Sequence, residues 1–124
     1  TIGAHTKYEF SNLAIWQGDI FELANTELKQ GKTHIYDRAA LIALPPELRG
    51  KYAQKMIGIL DGVMLLVTLE YPEGTRKGPP FSVSEEEVFA LFGSDCTIAV
   101  LEGNDLPAET STCEKVYLLR KKTS

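Results

Sequence analysis

The sequence predicts an α/β open sheet, mostly parallel and closed by a C-terminal antiparallel hairpin. Three observations predict it. Val63-Met64-Leu65-Leu66-Val67 is an apolar run without alternation, the pattern of a strand covered on both faces. Stretches with helical spacing flank it, over 45–60 and 84–92. Two further strand-like segments, Thr97–Leu101 and Val116–Leu119, are separated by Glu102–Glu114, which is too short for a comfortable crossover helix. They are therefore expected to pair antiparallel.

The elements follow in order. Asn12–Phe21 carries Leu13, Ile15 and Trp16 and runs into Gly18-Asp19, so it reads as a strand entering a loop. The polar stretch Asn25–Lys32, broken by Gly31, reads as a surface turn or short helix. Thr33–Tyr36 is β-branched and aromatic and suits a short strand. Asp37–Leu41 follows as a helical turn stopped before Pro45. Pro45-Pro46 opens a helix, since proline suits the first turn. Leu48, Tyr52, Met56, Ile59 and Leu60 give that helix one apolar face, and Asp61-Gly62 ends it. Val63–Tyr71 is the buried strand, and Pro72–Pro80, with three prolines and two glycines, is a loop. Ser84-Glu85-Glu86-Glu87 has the form of a capping box, with Val88, Leu91 and Phe92 as the apolar face and Gly93 as the stop.

The chain has 124 residues, enough for one domain with a core of its own, and 1–124 is expected to be a single α/β domain. Hydrophobic residues are 44% and charged residues 24%, which argues against disorder. Thirteen basic and 17 acidic residues leave a net charge of −4, against a broad electrostatic footprint for nucleic acid. The one basic cluster, Arg120-Lys121-Lys122, reads as a solvated tail. Cys96 and Cys113 make no disulfide framework and fit reduced thiols in the cytoplasm. No apolar run approaches the ~20 residues of a membrane span, and no signal peptide is expected. The chain begins at Thr1, which fits either a processed start or part of a longer product.

In open sheets of this kind, ligands sit beyond the C-terminal ends of the strands. That singles out three places. Asp19, after Gly18, is placed to accept from an exocyclic amine such as that of adenine; the alternative is a turn aspartate satisfied by its own backbone. Asp37 and Arg38 end the second strand; Arg38 offers a planar fork for an anionic or polar aromatic substrate, and the alternative is a local surface ion pair. Gly78-Pro79-Pro80-Phe81 is a stiff apolar turn, either a wall of a substrate pocket or a lid on the core. His5 and His34 have no third ligand at metal spacing, and no nucleophile-elbow pattern is present. No two of the ten glycines are separated by a single residue, so there is no G-x-G nucleotide loop.

In register along the chain stand Gly18-Asp19-Ile20-Phe21, the run Tyr36–Arg49 with its core D-R-A-A-L-I-A-L-P-P-E, and Tyr52-Ala53. Gly78-Pro79-Pro80-Phe81, Leu91-Phe92-Gly93 and Glu114-Lys115-Val116-Tyr117-Leu118-Leu119 follow. Together they resemble thiopurine S-methyltransferases, especially bacterial ones, over roughly residues 8 to 122. The resemblance implies a partial Rossmann-like class I methyltransferase sheet. It also implies methyl transfer from S-adenosylmethionine to a sulfur acceptor, an aromatic or heterocyclic thiol, with selenium and tellurium species as relatives' acceptors and no metal. By the same motifs, Asp19 and Ile20 fall on the loop bordering adenine. Asp37, Arg38, Pro79, Pro80 and Phe81 fall beside the acceptor.

The resemblance also implies absences. The family's N-terminal cover, its glycine-containing first turn and its ribose-binding acidic strand precede the matched part. The missing strands are expected between the first strand here and the second, leaving an apolar edge on each side. The chain must then close the gap by a new pairing, dimerise through the edge or be completed by an N-terminal polypeptide. The expected protein is a truncated methyltransferase that binds S-adenosylmethionine weakly or not at all on its own. The alternatives are a non-catalytic module that forms a homo-oligomer through the exposed edge, and a small-molecule binding protein using the Arg38 and Phe81 pocket.

Overall fold

A computed structural model describes residues 5–23, 32–72, 74, 76–105 and 112–122, with backbone alone for 102–105. The element order is β1 (Thr6–Glu9), β2 (Ala14–Gln17), a 3-10 turn (Ile20–Glu22), β3 (Ile35–Asp37), a 3-10 turn (Leu41–Ala43) and α1 (Pro46–Ile59). Then come β4 (Val63–Glu70), α2 (Glu85–Phe92), β5 (Cys96–Asp105) and β6 (Cys113–Lys121). The expected segment Asn25–Lys32 lies outside the described residues except at Lys32, and much of Glu102–Glu114 likewise.

The main sheet has the order β3-β4-β6-β5. β3 runs parallel to β4, with Tyr36 opposite Leu65. β6 pairs antiparallel to both neighbours, with Tyr117 opposite Leu66 on one side and Val100 on the other. The mixed sheet with its reversed C-terminal hairpin is therefore as expected. Its one parallel pair is β3–β4, because β6 lies between β4 and β5 and runs antiparallel to both.

The N-terminal strand departs from expectation. Ala14–Gln17 does not join the main sheet; it forms a separate hairpin with Thr6–Glu9, with Tyr8 opposite Ile15 and Lys7 opposite Trp16. The physical reason is local: Phe10 N–H donates to Leu13 O at 2.6 Å and closes a tight turn. A hairpin needs no partner from elsewhere in the chain. One sheet edge is thus presented by β3 rather than two edges flanking a gap.

The core lies on one face of the main sheet. Met64, Leu66, Tyr117 and Leu119 point there, all fully buried, and both helices cover them. From α1 come Tyr52, Ala53, Met56, Ile57 and Ile59; from α2 come Val88 and Phe92. The opposite face is less covered than the sequence suggested. Val63, Leu65 and Leu69 are half-buried and only Val67 is buried there, since both described helices pack on the other side. On α1, Leu48 is 38% exposed and Arg49 is buried in its place. Burying a cation that way requires a partner, and Glu87 supplies it at 2.8 Å. The α2 cap is half of a capping box: Ser84 Oγ accepts from Glu87 N–H at 3.1 Å. The Glu87 carboxylate does not return to the cap, because it is committed to Arg49.

Candidate active site

The C-terminal ends of β3 and β4 lie side by side, and the loops that leave them are bonded together. Phe81 N–H donates to Ile42 O at 2.6 Å, and Val83 N–H to Leu69 O at 2.8 Å. The Asp37–Leu44 turn and the Gly78–Phe81 turn therefore form one continuous rim.

Asp37 is buried, and its carboxylate is a hub. Oδ1 accepts from Ala40 N–H at 2.9 Å. Leu41 N–H donates to Oδ2 at 3.2 Å, and Tyr52 hydroxyl donates to the same oxygen at 2.7 Å. Burial first, then the adjacent Asp37 charge and hydrogen bond, raise the Tyr52 hydroxyl well above its ordinary pKa. Asp37 thus holds the turn that follows β3. Arg38, next along, is exposed and makes no hydrogen bond or ion pair among the described residues, so the local Asp37–Arg38 pair does not form.

Asp19 caps the first 3-10 turn. Its Oδ1 accepts from Phe21 N–H at 2.9 Å, and its backbone carbonyl accepts from His5 Nε2 at 2.6 Å. Gly18 makes this turn possible: its φ is +147°, and a Cβ there would stand 2.5 Å from the His5 ring. The turn-aspartate reading accounts for Oδ1, while Oδ2 has no partner among the described residues. Ile20 lies on the wall of a cavity of about 490 Å³ that also takes in Ile35, Tyr36, Tyr52, Met56 and Ile59. The cavity follows the open β3 edge, where Tyr36 is 65% exposed.

On the β4 side, Pro80 O accepts from Tyr71 hydroxyl at 2.8 Å, Pro79 is exposed, and Phe81 is half-buried. The Phe81 ring lies 5.5 Å from Arg49 Cζ. The structure therefore brings Asp37, Arg38, Pro79, Pro80 and Phe81 to one rim and puts Asp19 and Ile20 on the N-terminal turn, with Ile20 on the cavity beside β3. Sequence reasoning missed Arg49 and the polar role of Tyr52. The signals were present: a buried tyrosine hydroxyl needs a partner, and an arginine one position from an apolar stripe is within reach of it. Cys96, buried, has its thiol pushed up by burial and by Asp95, the opposite of a reactive thiolate. His34 Nδ1 accepts from Val63 N–H at 3.1 Å, tying the histidine to the fold.

A 1,6-didemethyltoxoflavin N1-methyltransferase of Burkholderia thailandensis, solved with bound 1,6-didemethyltoxoflavin and S-adenosylhomocysteine, superposes with a TM-score of 0.54 at 17% identity. The match covers 84% of this chain and 48% of that one. The fold is accordingly part of a class I methyltransferase sheet. The family model for thiopurine S-methyltransferase matches residues 1–123, and the chain belongs to that family. It is 46% identical to the thiopurine S-methyltransferase of Pseudomonas fluorescens, over 87% of this chain and 50% of the relative. With that of Shewanella baltica it shares 39% identity, over 98% of this chain and 61% of the relative. The chain thus spans half to three fifths of these relatives' lengths.

Proposed function

We propose that residues 1–124 act as one domain, the C-terminal part of an S-adenosylmethionine-dependent S-methyltransferase, and that its acceptor is an aromatic or heterocyclic thiol or a selenium or tellurium analogue. The observation that carries this is the family match over 1–123 combined with the shared rim beyond β3 and β4. When bound, S-adenosylmethionine supplies an activated methyl group on a sulfonium. The chain's own residues orient the partners, and orientation is where such transfer gains most of its rate. Arg38 engages the acceptor's polar or anionic edge. Pro79, Pro80 and Phe81 form an apolar wall that excludes water, and Asp37 acts by holding the turn that presents Arg38.

The residues fit the cofactor at one end. Asp19 Oδ2 is available for an exocyclic amine and Ile20 borders the cavity, which suits an adenine ring. The methionine end has no such cradle, since the sequence has no G-x-G turn. The chain alone therefore binds S-adenosylmethionine weakly or not at all, and its activity depends on a completing N-terminal polypeptide. Free Cys96 and Cys113 support a cytoplasmic setting, and no described helix is long and apolar enough to cross a membrane.

The test is complementation. The chain is mixed with, or fused to, the N-terminal half of the Pseudomonas fluorescens relative and assayed for methyl transfer to an aromatic thiol. Turnover that Arg38→Ala lowers at least tenfold (~1.4 kcal/mol) supports the reading. A stable complex without turnover refutes it. The open β3 edge favours a second reading, a non-catalytic module that oligomerises there. A self-associated chain that ignores the N-terminal half would establish that one.

A further inference from the structure

Arg49 is 4% exposed and its guanidinium touches three separate parts of the fold. Nη1 donates to both Glu87 carboxylate oxygens, at 2.9 and 2.8 Å, on α2. Nε donates to Leu44 O at 3.0 Å, the carbonyl at the end of the turn begun at Asp37. Its Cζ lies 5.5 Å from the centre of the Phe81 ring. One planar group thus joins the loop after β3, the loop after β4 and the second helix.

The Phe81 ring is also confined by Gly78. A Cβ on Gly78 would overlap it, so the ring folds back against bare backbone. Its own N–H is anchored to Ile42 O. Ring position is therefore set by the guanidinium and the Gly78 backbone together.

A buried ion pair is weak as a source of stability, because desolvation offsets the attraction. What the guanidinium provides is direction: held by the Glu87 carboxylate at Nη1 and by the Leu44 carbonyl at Nε, it offers a fixed plane for a ring, which a lysine ammonium does not. We infer that Arg49 is a positioning residue of the acceptor site, which sets the Phe81 ring in the rim without touching the acceptor. This rests on the acceptor reading of the 79–81 loop given above.

The test uses the 124-residue chain labelled with ¹³C at phenylalanine, with the Phe81 ring signals assigned by Phe81→Leu. Arg49→Lys keeps the charge and loses the fork. The Phe81 ring signals are expected to shift and average, while those of Phe10 and Phe21 stay in place. In parallel, binding of 4-nitrothiophenol is titrated. Arg49→Lys is expected to weaken it about tenfold. Arg49→Lys combined with Phe81→Leu should bind no worse than Phe81→Leu alone, since both act on one ring. Additive losses, or Phe81 signals unmoved in Arg49→Lys, overturn the inference. If Arg49→Lys does not fold, Gly78→Ala displaces the ring with the ion pair intact; unchanged probe affinity and unmoved Phe81 signals in that variant overturn it equally. If the wild-type chain does not bind the thiol yet the Phe81 signals move, the acceptor reading fails and the hold of Arg49 on the ring stands.

Discussion

Replacing Asp37 by Asn tests the hub beneath the rim. The carboxylate accepts from two backbone amides and from Tyr52 hydroxyl, all in a buried setting. Each hydrogen bond to a charged acceptor contributes about 1.5–3 kcal/mol, and the three share one group, so they do not simply add. An asparagine keeps one oxygen as acceptor and turns its amide toward donors, leaving at least one of them unpaired. The expected loss is about 3 kcal/mol, a large part of the ~5–15 kcal/mol that holds a domain together. With a urea m-value near ~1.5 kcal/mol/M, the midpoint falls by about 2 M. The assay is equilibrium urea unfolding, with Arg38→Ala as the control. Arg38 is exposed and unbonded among the described residues, so its loss changes stability by less than ~0.5 kcal/mol. An Asp37→Asn midpoint within about 0.3 M of wild type would refute the hub, because buried donors left unpaired always cost stability.

Further outcomes follow from the same geometry. Tyr52 holds its proton more tightly folded than unfolded. Its contribution is therefore complete below the ordinary tyrosine pKa of ~10 and is lost as pH rises above it, by about 1.4 kcal/mol per pH unit. Tyr117 and Lys115 are raised as well and add to the alkaline loss. Tyr52→Phe should accordingly lose stability less steeply than wild type between pH 10 and 11 in urea titrations, and an unchanged slope would contradict the assignment. Ser84→Ala removes the acceptor for Glu87 N–H and should lower stability by about 1 kcal/mol. Gly62→Ala would drive a Cβ into the His34 ring, which accepts from Val63 N–H. It should broaden or shift the His34 ring signals in proton NMR, and unmoved signals would contradict the contact.

Much of the fold was legible because local chemistry and global architecture agree. The Pro45-Pro46 start and Gly62 stop bracket α1, and the apolar run at Val63–Val67 marks a buried strand. The shortness of the β5–β6 connection dictated an antiparallel pair. What was not legible depended on partners distant in sequence. Thr6–Glu9 has no strong apolar pattern and becomes a strand only through Ala14–Gln17. Arg49 reads as a surface residue until Glu87, 38 positions away, neutralises it. In the site, motif resemblance singled out Asp37 beside Arg38, but its spacing could not reveal that Tyr52 and two amides fill the carboxylate. The even pattern of β4 likewise concealed that one face is covered by both helices and the other only in part.

We propose that this chain carries the acceptor side of a methyltransferase and only the adenine border of its cofactor site. Calorimetric titration of the purified chain with S-adenosylhomocysteine tests it most directly, alongside the Asp19→Ala, Arg38→Ala variant. Little or no heat is expected from either protein, with binding restored when the N-terminal half of a relative is added. Tight, saturable binding to the chain alone, abolished in the variant, would contradict it and mean that a complete cofactor site exists without a glycine loop.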